Sequence, residues 1–228
     1  MISDDGDHGG GRPPLLTVRG SAEVLAAPDV AVVRLGVEAQ TKAAADAQQQ
    51  VNEIARAILD ALTADGVPAD AVRTTGVTLS PIYGQPGDRG GEPKLAGYRA
   101  QNVVAVRVTD MERVGPVLDA GLSAGANRVD GIQFSLRDDA ELRRQALSEA
   151  IQEARTKAET MSAALGVSLA GVHAVEEGDV SVAPVFRAAE MRQFAMDKGA
   201  PTPVSAGQVT VNANVTVQYR IGGSAADR

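Results

Sequence analysis

One imidazole and three carboxylates lie close together in the second half of the chain. His173 is followed by Glu176, Glu177 and Asp179. Imidazole nitrogens and carboxylate oxygens are ligands for hard or borderline metal cations. Their spacing matches neither an EF-hand loop nor the HExxH zinc motif, and a solvated acidic turn explains the same residues. The sequence therefore leaves two interpretations open, a metal site and a surface turn.

The sequence lacks the residues that nucleophilic catalysis requires. The chain has two histidines and no cysteine, and His8 lies in a leading segment rich in Gly and Asp. No GxSxG motif is present, and a Ser–His–Asp arrangement has no support. Without cysteine, thiolate catalysis, disulfides, zinc–thiolate sites and iron–sulfur clusters are excluded. We therefore predict no catalytic residue and no cofactor, and expect that the protein is not an enzyme.

The segment Gly84–Pro93 is a second candidate for ligand binding, since it contains four glycines and two prolines. It lacks the Lys-Ser/Thr pair of a phosphate-binding loop, and a strand pattern rather than a helix pattern follows it. This favours the tip of a β-hairpin. The alternative function that we keep open is a small-ligand or metal-binding protein that uses this loop and the acidic cluster at His173.

A third candidate combines Phe and Met in a chain that is poor in aromatic residues. Phe186, Met191, Phe194 and Met196 fall within residues 179–206, a long segment with three prolines that we predict to be a mobile insertion. Met and Phe are favoured at adaptable contact surfaces. A subunit or partner contact, packing against the chain's own sheet and a ligand lid all remain open for these residues.

Composition and charge narrow the class of protein. The formal net charge is −7 and the isoelectric point is about 4.9, with no basic run, which argues against a nucleic-acid partner. No stretch reaches about 18 consecutive apolar residues, so we predict no transmembrane segment. The first residues are acidic, whereas a signal peptide needs positive charge followed by an apolar stretch. Cytoplasmic and exported locations both stay open.

Hydrophobic periodicity predicts an α+β protein with three main helices and antiparallel-rich sheets. Predicted helices cover residues 41–64, 111–123 and 138–165, beginning near Thr41, Asp110 and Asp138. Predicted strands cover about 15–27, 30–39, 72–83, 95–108, 167–175 and 209–221, with another around Ile132 and Phe134. A repeated strand–helix–strand order suggests two lobes, about 15–94 and 95–221. We expect a disordered leader at 1–14 and a disordered tail at 222–228.

Two details of this pattern guide the packing and assembly predictions. The third helix has a predicted core stripe formed by Leu147, Ile151, Ala154, Ala158, Met161 and Leu165. The last strand alternates strictly between apolar and polar residues from Val209 to Ile221. We predict self-association through this long strand and the Phe/Met segment, because an exposed strand edge is a template for pairing.

Five short blocks of sequence follow one another between Leu15 and Ile221. The blocks are Ala27-Pro28-Asp29-Val30-Ala31, residues 74–81, Gly97-Tyr98-Arg99-Ala100, residues 126–136 and residues 203–221. The first resembles an "A-x-P-D-x-A" turn, the fourth an "A-x-x-V-x-G-I-x-F" block, and the last a closing strand that ends in "V-x-V-x-Y". Together they resemble the SIMPL (DUF541) family of bacterial periplasmic or envelope immunogenic proteins.

The resemblance implies a two-lobed α+β body and a role outside catalysis. Members of this family are mostly exported or envelope-associated in bacteria. Some are immunodominant antigens, some are linked to oxidative-stress tolerance, and some assemble into rings or channels. A mammalian member is a signalling adaptor. No catalytic residues are established for the family, so the resemblance assigns none here and favours a self-associating scaffold or adaptor.

Overall fold

The computed structural model describes residues 14–84, 93–185 and 202–224. Within them the chain forms strands and α-helices in the order β1 Leu15–Ala26, β2 Val30–Thr41, α1 Ala44–Ala64, β3 Val72–Tyr83, β4 Leu95–Val108, α2 Val114–Ser123, β5 Arg128–Ser135, α3 Ala140–Leu165, β6 Val167–Glu177, β7 Ser181–Val185 and β8 Gln208–Ser224. Short 3-10 turns at Ala69–Ala71 and Met111–Arg113 precede β3 and α2. The predicted α+β class, with three helices and antiparallel-rich sheets, is confirmed.

The described chain divides into two compact units that are discontinuous in sequence. Unit 1 contains residues 14–26, 138–183 and 210–224, and unit 2 contains residues 27–84, 93–137, 184–185 and 202–209. The sequence predicted two continuous lobes, 15–94 and 95–221. The discontinuity arises because β8, near the end of the chain, pairs with β1 at its beginning.

Unit 2 is built on a four-stranded sheet in the order β3-β4-β2-β5. The three pairings are antiparallel, and Val33 of β2 lies between Val106 of β4 and Ile132 of β5. Helices α1 and α2 cover one face of this sheet. Their buried residues Ile58, Leu62, Val114, Val117 and Leu118 join a core with Ala31, Val33, Leu35, Val104, Val106 and Phe134. The opposite face of the sheet has no α-helix of unit 2 among the described residues.

Unit 1 combines α3 with a sheet in which β8 lies between β1 and β6, and β7 also pairs with β8. The alternating apolar residues of β8 are buried, from Val209 to Tyr219. The central position of β8 corrects the assembly prediction, because its backbone is already paired on both sides. A new strand therefore has no free edge of β8 to join.

The predicted core stripe of α3 is confirmed at Ala154 and Ala158 and differs at its other positions. The buried positions are Ala146, Ala150, Ala154, Ala158 and Ser162, whereas Ile151, Met161 and Leu165 are exposed. The cause is close packing on β1: a Cβ atom placed on Gly20 would lie 1.9 Å from the carbonyl oxygen of Ala150. Only small side chains fit at this distance, so alanines rather than the larger residues face the sheet.

Two predicted helix starts are also corrected. Thr41 ends β2, and its hydroxyl donates to the carbonyl of Ala43 at 2.6 Å, while α1 begins at Ala44 without a side-chain cap. The third helix begins at Ala140, where the carboxylate of Asp138 accepts from the backbone N–H at 2.9 Å. The predicted end at Gly166 is confirmed, since this residue has a φ of 66°, which favours glycine.

The helices of the described residues are too short or too polar to cross a bilayer.

Candidate functional site

The described residues provide no geometric support for the predicted metal site. His173 lies on β6, Glu176 and Glu177 at the end of that strand, and Asp179 in the turn that follows. All four are exposed. No three His, Asp or Glu side chains in the part of the chain that the structure describes are placed to hold a metal ion. The metal site therefore stays a prediction.

The other two predicted sites lie mainly outside the described residues. This applies to Phe186, Met191, Phe194 and Met196, and to the interior of Gly84–Pro93. The ends of that loop are described, and the N–H of Gly84 donates to the carbonyl of Lys94 at 2.9 Å. The loop joins β3 and β4, which pair antiparallel, as the predicted hairpin tip requires.

The described ends of the predicted insertion 179–206 have defined structure. Residues 181–185 form β7, and residues 186–201 lie outside the described ranges. Thr202 donates to the carboxylate of Asp119 on α2 through its backbone N–H at 2.9 Å and its hydroxyl at 2.5 Å. Val204 and Ala206 pack against the core of unit 2. The segment is therefore attached to unit 2 at its C-terminal end.

The most connected polar cluster is on the helix-free face of the unit 2 sheet, centred on Glu38 of β2. Its carboxylate forms ion pairs with Arg99 of β4 at 3.1 Å and Arg128 of β5 at 3.5 Å. The same carboxylate accepts from the side-chain amides of Gln40 at 3.0 Å and Gln101 at 2.7 Å. These contacts join three neighbouring strands through a single side chain.

Asn127 and Asp130 extend this network along β5. The side chain of Asn127 accepts from the N–H of Glu38 at 2.9 Å and donates to its carbonyl at 2.8 Å, as the backbone of a neighbouring strand would. Asp130 pairs with Arg128 at 2.7 Å. A shift in the pairing of β2 with β5 lies between Arg34 and Leu35, so Asn127 completes the hydrogen bonding beyond that irregularity.

The electrostatics of the cluster favour the ionised form of Glu38. The hydrogen bond from Gln40 is the largest influence that lowers the pKa of Glu38, and Gln101, Arg99 and Arg128 add to it against partial desolvation. A carboxylate with a lowered pKa is ionised at neutral pH and is a weak base. Paired with Arg99 and Arg128, the ionised Glu38 carboxylate can hold the strands in register.

The sequence carried a partial signal for this cluster. Alternation in β2 and β4 predicts that Glu38, Arg99 and Gln101 point away from the core. Alternation does not reveal that β2 lies between β4 and β5, so it cannot bring Arg128 to Glu38. The pairing of strands distant in sequence was the missing information.

Comparison with known proteins identifies the class to which this fold belongs. The model of the SIMPL family, described as a protein of unknown function (DUF541), matches residues 16–219. The chain belongs to the SIMPL family, as the blocks of sequence indicated.

Named relatives fall into two groups. The chain is 31% identical over 216 residues to the 26 kDa periplasmic immunogenic protein of Brucella melitensis biotype 1, a match that covers 92% of this chain and 86% of the relative. It is 29% identical over 162 residues to the uncharacterized protein YggE of Edwardsiella ictaluri, covering 71% of this chain and 67% of the relative. Neither the family description nor these names mention an enzymatic activity.

Proposed function

We propose that this chain is a non-enzymatic, self-associating protein of the bacterial envelope that acts as a scaffold or adaptor. The envelope location draws on the Brucella relative, whose name calls it periplasmic. A stress-related role rests on the family resemblance alone. The self-association has its own support in the shape and chemistry of one edge of the unit 2 sheet.

The observation that carries the proposal is a row of exposed apolar side chains on β3. Val77, Leu79 and Tyr83 are 57%, 45% and 60% exposed. Val77 and Leu79 pair with Asn102 and Ala100 of β4, which are buried. The exposed row therefore lies on the same face of the sheet as the helices, at a part of that face that the helices do not cover.

Strand β3 ends the order of its sheet, so one side of its backbone has no strand partner among the described residues. No side chain of those residues hydrogen-bonds to its backbone either. An edge strand with an exposed apolar row is a template for pairing with another chain. Symmetric pairing of two β3 strands would satisfy both backbones and bury both rows, which fits the closed symmetry of most homo-oligomers.

The experiment compares lysine substitutions at two valines with equal exposure. Val77 on β3 and Val175 on β6 are both 57% exposed, and each substitution adds one positive charge. We expect the wild-type chain to exceed the monomer mass by light scattering at micromolar concentration. Val77→Lys should lower that mass, because a charge directly on the pairing edge opposes association, and V77K/L79K should abolish association. Val175→Lys should leave the mass unchanged.

Circular dichroism of each variant separates lost assembly from lost folding. A monomeric wild-type chain would remove the support for self-association. Val175 lies on β6, which is also at the end of its sheet, so an equal decrease in mass in Val77→Lys and Val175→Lys would show that association is not specific to the β3 edge. The predicted contact residues on the Phe/Met segment would be tested separately, by deleting residues 179–204 and measuring the same mass.

A further inference from the structure

A groove of about 340 Å³ crosses the helix-free face of the unit 2 sheet, at the end away from the Glu38 cluster. Its lining includes two arginines, Arg73 of β3 and Arg107 of β4. Both arginines are exposed, and neither forms an ion pair or a hydrogen bond within the described residues. These two cations lie side by side in a chain with a formal net charge of −7.

The register of the sheet brings the two arginines together. Arg73 pairs with Ala105 of β4, and Arg107 lies two residues beyond Ala105 on the same strand. Arg73 and Arg107 are therefore diagonal neighbours on one face, and such positions are about 7–8 Å apart and within reach of long side chains. Their guanidinium groups can approach one oxyanion from two sides, and each offers a planar pair of N–H donors.

The floor of the groove is aliphatic. Ala105 and Val30 are buried, and Val32 is half-buried beside them. The neighbouring Arg34 keeps its positive charge but does not line the groove, and its guanidinium donates to the side chain of Gln133 at 3.1 Å. A ligand with a short hydrocarbon body could cover this floor while its anionic end meets the two arginines.

Asp70 limits the charge of the ligand. This residue also lines the groove, is exposed, and forms no ion pair with either arginine. Its negative charge opposes a second negative charge on the ligand, which disfavours phosphate monoesters because they carry nearly two charges at neutral pH. We propose that the groove binds a small organic monocarboxylate, with the carboxylate between Arg73 and Arg107 and the hydrocarbon body over Val32 and Ala105.

This proposal does not require self-association, and calorimetric titration of the intact chain at low salt tests it. The probes are hexanoate, its neutral amide hexanamide, and hexyl phosphate. We expect hexanoate to bind, hexanamide to show no binding, and hexyl phosphate to bind more weakly than hexanoate. Arg73→Gln and Arg107→Gln should each weaken hexanoate binding about tenfold, since each removes a charge-assisted contact. Asp70→Asn should strengthen hexyl phosphate binding more than hexanoate binding.

Arg56→Gln is the matched control. Arg56 is exposed on α1, on the helix-covered side of the sheet, and its substitution changes the net charge by the same amount. It should leave hexanoate affinity unchanged. Three results would overturn the proposal: no hexanoate binding up to about 10 mM, a range beyond the usual scale of weak specific affinities; unchanged binding in both groove variants; or an equal loss in Arg56→Gln.

Discussion

Each unit has an end strand whose backbone can be compared, β1 in unit 1 and β3 in unit 2, and the side chains around these two strands differ. On β1, the backbone N–H of Ser21 donates to the carboxylate of Glu153 at 2.5 Å, and Lys157 donates to the carbonyl of Arg19 at 3.0 Å. Glu153 and Lys157 also pair with each other along α3 at 2.9 Å. On β3, the corresponding backbone groups meet no side chain of the described residues, and apolar side chains are exposed instead.

The difference indicates which edge is available to a partner. Charged side chains that occupy the backbone of an edge strand oppose the addition of another strand, and natural sheets use this device against unwanted pairing. Strand β1 has this protection because α3 packs so closely on it. Strand β3 lacks it, which fits the pairing that we propose.

The largest effect is expected from a change that separates α3 from β1. A Cβ atom at Gly20 would lie 1.9 Å from the carbonyl oxygen of Ala150 and 2.7 Å from the backbone nitrogen of Ala154. These are backbone atoms and cannot rotate away, so the helix must shift. Gly20→Ala should lower the free energy of unfolding by about 3 kcal/mol or more, measured by urea denaturation.

Gly76 on β3 provides the matched control for Gly20→Ala. A Cβ atom there would be 3.9 Å from the nearest side-chain atoms, those of Val103, which is ordinary contact distance. Gly76→Ala should change the free energy of unfolding by less than about 0.5 kcal/mol. Equal costs at the two glycines would show that close helix packing does not distinguish the two edges.

A smaller effect is expected when the charged pair alone is removed. The variant E153A/K157A leaves the net charge unchanged and uncovers the backbone of β1 at Arg19 and Ser21. In the V77K/L79K background, which should be monomeric, we expect this change to restore concentration-dependent association. Light scattering over a range of protein concentrations measures it.

The control for this variant uses another charged pair on the same helix. Arg155 and Glu159 pair at 2.8 Å, and neither forms a hydrogen bond or an ion pair with β1 in the described residues. R155A/E159A should remain monomeric in the same background. If E153A/K157A also stays monomeric, Glu153 and Lys157 are not what prevents β1 from pairing. The difference between the β1 and β3 edges would then not be explained by these two side chains.

Much of the fold could be predicted because its signals are local. Alternation gives the faces of β2, β4 and β8, and Gly166 gives the end of α3, since these follow from residues within a few positions of each other. The packed face of α3 could not be predicted in this way. The buried stripe depends on Gly20, which is 130 residues before Ala150. In addition, large apolar residues at helical spacing on another face of α3 predicted a different buried stripe.

The same limit applies to the candidate sites. Periodicity placed Glu38, Arg99 and Arg107 on the solvent side of their strands, but the groove and the Glu38 cluster exist only because strands separated in sequence are neighbours. The prediction for β8 was wrong for a related reason. A clean alternating pattern shows that one face is buried, and it carries no information on whether the strand is central or at an edge.

The smallest effect concerns the pH dependence of the protected edge. The backbone hydrogen bond from Ser21 is the largest influence that lowers the pKa of Glu153, and Lys157 adds to it. A carboxylate whose pKa is lower in the folded than in the unfolded chain stabilises the fold above its unfolded pKa, near 4.5. That stabilisation is lost as the pH falls through the lower, folded-state pKa. We therefore expect Glu153→Gln to have a lower free energy of unfolding than wild type near neutral pH. The difference between the two proteins should become smaller as the pH falls through the folded-state pKa of Glu153.

Urea denaturation of wild type and Glu153→Gln at about pH 7 and about pH 3 measures this difference, and titration of other carboxylates cancels between the two proteins. The effect should be modest because the pair is solvent-exposed and screened. A difference that is the same at both pH values would mean that the glutamate acts through packing rather than through its charge. The carboxylate would then cover β1 only sterically, and the protection of that edge would not depend on pH.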